Sequence, residues 1–178
     1  MRRTWITLIL IGLFLLEGTV MPWLLPASWQ SEALVAPRFV FVVILYVALY
    51  SSRPLALAYG LIFGLLHDFV YYGPMIGTYS FSMGLSAYLV GLAFHRGQIR
   101  LLSSLCYICI GNFLLECVLF GLYRLFELNS LTFRWALVHQ ILPGMLINLL
   151  FALAVYLPIR KLLEKMDAEA ESRDESFG

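Results

Sequence analysis

The sequence predicts an all-α integral membrane protein of six transmembrane helices, with both termini on the cytoplasmic side. Three observations carry that expectation. Of the 178 residues, 61% are hydrophobic and only 13% are charged, against roughly 25% charged in an ordinary soluble domain; the mean hydropathy is +0.85. The apolar residues fall into six runs joined by short connections, which leaves no room for a sizeable soluble catalytic domain. The basic residues stand singly or in pairs at the ends of those runs, where topology signals lie.

A helical span takes about 20 apolar residues. The first run extends from Thr4 to Leu25 and is read as a retained helix. It follows the basic pair Arg2-Arg3, but it contains Glu17 and offers no small-residue cleavage site. The second, Arg38 to Ser51, is short. Only Ser51-Ser52-Arg53-Pro54 separates it from the third, Pro54 to Tyr72, and Pro54 suits the first turn of a helix. Gly73-Pro74 marks the next turn. The fourth run covers Thr78 to Phe94, the fifth Leu101 to Tyr123 and the sixth Ala136 to Leu157. Connections this short make neighbouring helices antiparallel.

Orientation follows from lysine and arginine. With the N-terminus inside, the cytoplasmic side holds Arg2, Arg3, Arg53, Arg96, Arg100, Arg160, Lys161, Lys165 and Arg173. The outside holds Arg38, Arg124 and Arg134. Nine against three is the expected bias, and it puts the C-terminus inside as well. Residues 1–163 form the membrane domain. Residues 164–178 are acidic and are read as a helical extension fraying into a disordered cytoplasmic tail. Cys106, Cys109 and Cys117 share the fifth run, where a C-x-x-C spacing reads as small apolar packing residues. The net charge of +1 gives no reason to expect a nucleic-acid partner.

The third run holds the most informative pattern. Gly60, Gly64 and Asp68 are spaced by four and share one helix face. Small residues at this spacing admit another helix at close range, so the face is expected to receive a partner helix. A carboxylate in such a segment is unfavourable by roughly 2.5–3.5 kcal/mol at a bilayer centre, which calls for a compensating contact. Counting about 1.5 Å per residue from the inner ends puts Glu17 about 20 Å along its helix, Asp68 about 21 Å and Glu116 about 22–24 Å. With His67, with Asn112 one turn before Glu116, and with His139 at the outer start of the sixth run, these residues are expected to form one polar cluster in the outer half of the bilayer. Tyr71, Tyr72 and Tyr79 could add hydroxyls at that level.

No catalytic, cofactor or metal site is expected. The histidines and carboxylates lack a metal-ligand spacing. Gly84-Leu85-Ser86-Ala87, with His139 on another helix, has only the outline of a serine–histidine pair, and no oxyanion donor accompanies it.

The segment from Tyr59 to Tyr79 resembles the G-x-x-x-G-x-x-x-D…G-x-Y signature of the rod shape-determining MreD family, carried here by Gly60, Gly64, Asp68, Gly77 and Tyr79. Features of its Bacillus-like branch are echoed in Glu17, Pro37-Arg38-Phe39, Leu114-Leu115-Glu116, Phe120-Gly121, Leu142-Pro143 and Asn148. His67 and Pro74 have no place in that pattern. The resemblance implies a non-enzymatic, multi-pass component of the bacterial inner membrane that supports lateral peptidoglycan synthesis and cell shape. The implied partners are an MreC-type bitopic protein, an MreB-like filament, a RodA-type glycosyltransferase and its transpeptidase. It also implies a fold similar to the substrate-binding S components of ECF transporters, so a vitamin-binding transporter subunit is the alternative. Those proteins dock their energising subunit through first-helix alanines, and Ile6 to Val20 contains none.

Overall fold

The computed structural model describes residues 2–19, 37–71, 75–94, 101–128 and 131–174, with side chains between residues 4 and 163 of these ranges. Every regular element among them is helical: α1 (Arg2–Thr19), α2 (Phe39–Tyr50), α3 (Arg53–Val70), α4 (Thr78–Ala93), α5 (Leu101–Leu125), the single turn α6 (Phe133–Ala136), a π-helical turn (Leu137–Ile141) and α7 (Leu142–Asp174). By length and composition, three of them can cross a membrane: α3, α5 and the stretch Phe133–Leu163. Helix α1 is apolar but shorter, as is α2. The end of the first expected span, residues 20–25, lies outside the described residues, as does Tyr72.

Helix α2 organises the bundle. It is apolar on every side, and all twelve of its residues from Phe39 to Tyr50 are buried. A helix without a polar face belongs in a core. It packs against α1, α3, α4, α5 and α7. The other helices bury one stripe and expose another. On α7 the exposed stripe is Leu142, Leu146, Leu150, Leu153 and Leu157; on α1 it is Trp5, Leu8, Ile11 and Leu15. Exposed apolar stripes of this kind suit a lipid surround.

Three local features position the site. Pro54 sits in the first turn of α3, where its missing N–H is no loss. Gly77 precedes α4 with φ +93°, a left-handed conformation that glycine adopts without strain. Leu142 N–H bonds to Leu137 O, across five residues. Pro143 accounts for that wide turn, because in a regular α-helix its ring would crowd the carbonyl of His139 four residues back. The backbone of α7 continues as a helix through Glu164 as far as Asp174.

Candidate functional site

Helices α3 and α4 approach backbone to backbone. A Cβ on Gly60 would lie 2.8 Å from Gly84 Cα; one on Gly64 would lie 2.6 Å from Ser80 Cα and from Tyr79 O. No side chain fits at either position. One turn beyond, Asp68 meets the start of α4. Its carboxylate accepts N–H bonds from Gly77 (2.9 Å), Tyr79 (3.2 Å) and Ser80 (3.3 Å). These are the unpaired donors of a helix N-terminus, and a negative charge there is also favoured by the helix dipole. Ser80 adds a return bond from its hydroxyl to Leu61 O at 2.8 Å. The Gly60–Gly64–Asp68 face lies against the chain's own α4, and backbone contact this close leaves no space for a further helix at Gly60 and Gly64.

Asp68 also belongs to a larger polar layer, to which every long helix contributes. Glu17 of α1 accepts the Val40 N–H through Oε1 at 3.1 Å, and its Oε2 faces His67 Nε2 of α3 at 3.3 Å. His67 packs edge-on to Phe14 and stacks on Tyr79 of α4, with centroids 5.1 and 5.8 Å apart. Arg38, at the start of α2, pairs through Nη2 with Glu116 Oε1 of α5 at 2.9 Å, and its guanidinium lies 5.1 Å from the centre of the Tyr79 ring. The Arg38 N–H donates to Asn148 Oδ1 of α7 at 2.8 Å; Asn148 Nδ2 donates to Asn112 Oδ1 at 2.9 Å, and Asn112 Nδ2 donates to Ile108 O. Tyr71 donates its hydroxyl to Phe14 O at 2.9 Å. It fits against α1 because Gly18 has no side chain; a Cβ there would lie 2.6 Å from the Tyr71 hydroxyl oxygen.

The structure therefore brings Glu17, His67, Asp68, Asn112 and Glu116 into one region. It does not bring His139 there. His139 is exposed, stacks on Trp135 at 4.8 Å and contacts Trp135 O through Nδ1 at 3.1 Å. It lies on the π-helical turn, at the surface of the bundle. Ser86 is fully buried and its hydroxyl has no hydrogen-bond partner among the described residues, so no serine–histidine pair forms with His139. Two residues at the centre of the layer, Arg38 and Asn148, are absent from the expected cluster. Arg38 reads in sequence as a topology signal, and Asn148 as one polar residue in an apolar run. An amide there, on a helix neighbouring that of Asn112, was the available signal.

The polar layer is largely buried, its charged groups face one another or backbone N–H groups, and exposed apolar side chains surround it. Such an arrangement defines a helical membrane protein whose ionisable groups hold its own helices together. The model of the family described as rod shape-determining protein MreD matches residues 1–166, and the chain belongs to that family. It is 29% identical over 145 residues to the rod shape-determining protein MreD of Bacillus subtilis (strain 168), an alignment covering 82% of this chain and 83% of that relative. No solved structure matches the chain.

Proposed function

We propose that the protein is a non-enzymatic scaffold of the bacterial cell-elongation complex, supporting lateral peptidoglycan synthesis and rod shape from the cytoplasmic membrane. It crosses the membrane six times, the three long spans being joined by α1, α2 and α4, with both termini in the cytoplasm. The polar layer then lies towards the outer face. An MreC-type bitopic protein is its direct partner, and an MreB-like filament, a RodA-type glycosyltransferase and its transpeptidase belong to the same assembly. The fold on this reading is similar to that of ECF S components, without a vitamin site.

Membership of a shape-determining family carries the proposal, and the state of the polar layer supports it. Asp68 is occupied by three backbone donors, Glu17 by a backbone N–H and His67, and Glu116 by Arg38. These groups act on helix arrangement, while the apolar faces of α1 and α7 are what the bundle presents to lipid and to other helices. Depletion in the native host, followed by microscopy, tests the proposal. Rounding and swelling of cells are the expected result. A growth defect relieved by a nutrient, with rod shape kept, would instead assign the protein to small-molecule uptake.

A further inference from the structure

Among the described residues, Glu17 Oε2, His67 Nε2 and two nitrogens of Arg38 are buried in the polar layer without a hydrogen-bond partner, and Arg38 is the group with the most unmet donors. A guanidinium carries five N–H donors, and the Arg38 side chain is only 9% exposed. Among the described residues its Nη2 has an acceptor, Glu116 Oε1, while Nε and Nη1 have none and are closed to solvent. Buried donors without acceptors are uncommon in folded proteins and call for an explanation. Of the neighbouring acceptors, Glu17 Oε2 faces His67 Nε2 at 3.3 Å and makes no hydrogen bond to Arg38, and the others are engaged elsewhere. Asp68 already takes three N–H bonds, Glu17 Oε1 takes Val40, Asn148 Oδ1 takes the backbone N–H of Arg38 itself, and Asn112 Oδ1 takes Asn148. The Tyr79 ring backs the guanidinium, which leaves the donor-bearing edge as its binding surface.

We propose that Arg38 is an anion-recognition residue that takes a phosphate group, with Glu116 as the resident anion the phosphate displaces. A carboxylate presents two oxygens to an arginine. A phosphate presents more, and so can meet nitrogens that Glu116 leaves unmet; the planar guanidinium edge suits it. The two partners are unequally held: the Glu116 side chain is 23% exposed against 9% for Arg38. Glu116 is therefore the member that can turn to water. Because Nε and Nη1 are closed to solvent while Glu116 is in place, the phosphate enters by exchange and not by addition. Exchange of one anion for another also keeps the charge beside Arg38 balanced. A lipid headgroup is one source of such a phosphate, if the layer lies at the outer face as proposed above; inorganic phosphate is the other.

The test uses the full chain purified in a neutral detergent and native mass spectrometry. The probes are phosphatidylglycerol, diacylglycerol with the same acyl chains, and inorganic phosphate. The expected result is retention of phosphatidylglycerol and not of diacylglycerol, a several-fold gain in retention for Glu116→Gln, and loss in the double variant Arg38→Gln/Glu116→Gln. Millimolar inorganic phosphate that displaces the lipid would support recognition of phosphate itself. Arg38-dependent retention without such displacement would support a site that needs the lipid-borne group. Equal retention of diacylglycerol, no gain in Glu116→Gln, or wild-type retention by the double variant would overturn the proposal. A gain in headgroup-selective binding cannot arise from misfolding, so Glu116→Gln decides even if the double variant folds poorly. Cell shape does not enter the measurement, so its failure is distinct from failure of the scaffold reading.

Discussion

The two ends of the bundle solve the same problem with different chemistry. At the end that holds Asp68, buried polar groups are carboxylates, a guanidinium, an imidazole and two amides, each tied to a particular partner. At the other end they are mostly hydroxyls. Tyr50 and Ser104 share a hydrogen bond at 2.8 Å, Tyr46 donates to Ala152 O at 2.7 Å, and Thr7 and Tyr59 meet at 3.1 Å. Two arginines there donate to neutral oxygens, Arg160 to the Tyr156 hydroxyl at 2.8 Å and Arg53 to Phe94 O at 3.5 Å. A hydroxyl can rotate to another acceptor when a partner is lost. A buried charge cannot, and is left uncompensated. The Asp68 end therefore fixes how the helices stand relative to one another, and the tyrosine end adapts to that arrangement.

The largest break in this contrast comes from Arg38. Arg38→Ala strands Glu116 and is expected to destabilise the fold by about 3 kcal/mol, while Arg38→Leu/Glu116→Leu recovers most of that loss. Unfolding in detergent measures both; equal losses in the two variants would mean that the charge pair is not what matters. The glycine face comes next. Gly64→Ala pushes a Cβ into the α4 backbone and is expected to lose roughly 1–3 kcal/mol. Gly12→Ala, with nothing within 4 Å, gains up to about 0.5–1 kcal/mol from helix propensity. Melting temperatures moving in the same direction for both would contradict the close α3–α4 approach. At the other end, Tyr50→Phe removes one neutral hydrogen bond and is expected to lose about 1 kcal/mol. His139→Ala, outside both layers, is expected to change stability by less than about 0.5 kcal/mol; a larger loss would draw His139 back into the polar layer.

Much of the site is legible in the sequence because helical rise is constant. Counting residues gave Glu17, Asp68 and Glu116 a common depth without knowledge of any contact. Rotation about the helix axis is not legible in the same way. His139 shows this: it is exposed on the wide turn that precedes Pro143 and faces away from the polar layer. The Gly60–Gly64–Asp68 spacing announces a close approach yet cannot name the approaching helix. The shortness of the connection to Thr78 pointed to α4, since a tight hairpin puts the next helix alongside. Arg38 reads in sequence as an orientation signal, because a basic residue before an apolar run has that obvious meaning. The stronger clue was the run itself: a helix apolar on all sides is enclosed by protein, and so is the residue that begins it.

That enclosure has a consequence for how the protein is made. Twelve residues of helix reach about 18 Å, short of the ~30 Å hydrocarbon core, and α2 opens with an arginine. Such a segment is a poor substrate for insertion by its own hydrophobicity. Joined to α3 through Ser51 and Ser52, it is suited to enter as the leading half of a hairpin, together with α3. It finds its surroundings only after α5 and α7 have been synthesised, so the centre of the finished bundle is among the last parts to be completed.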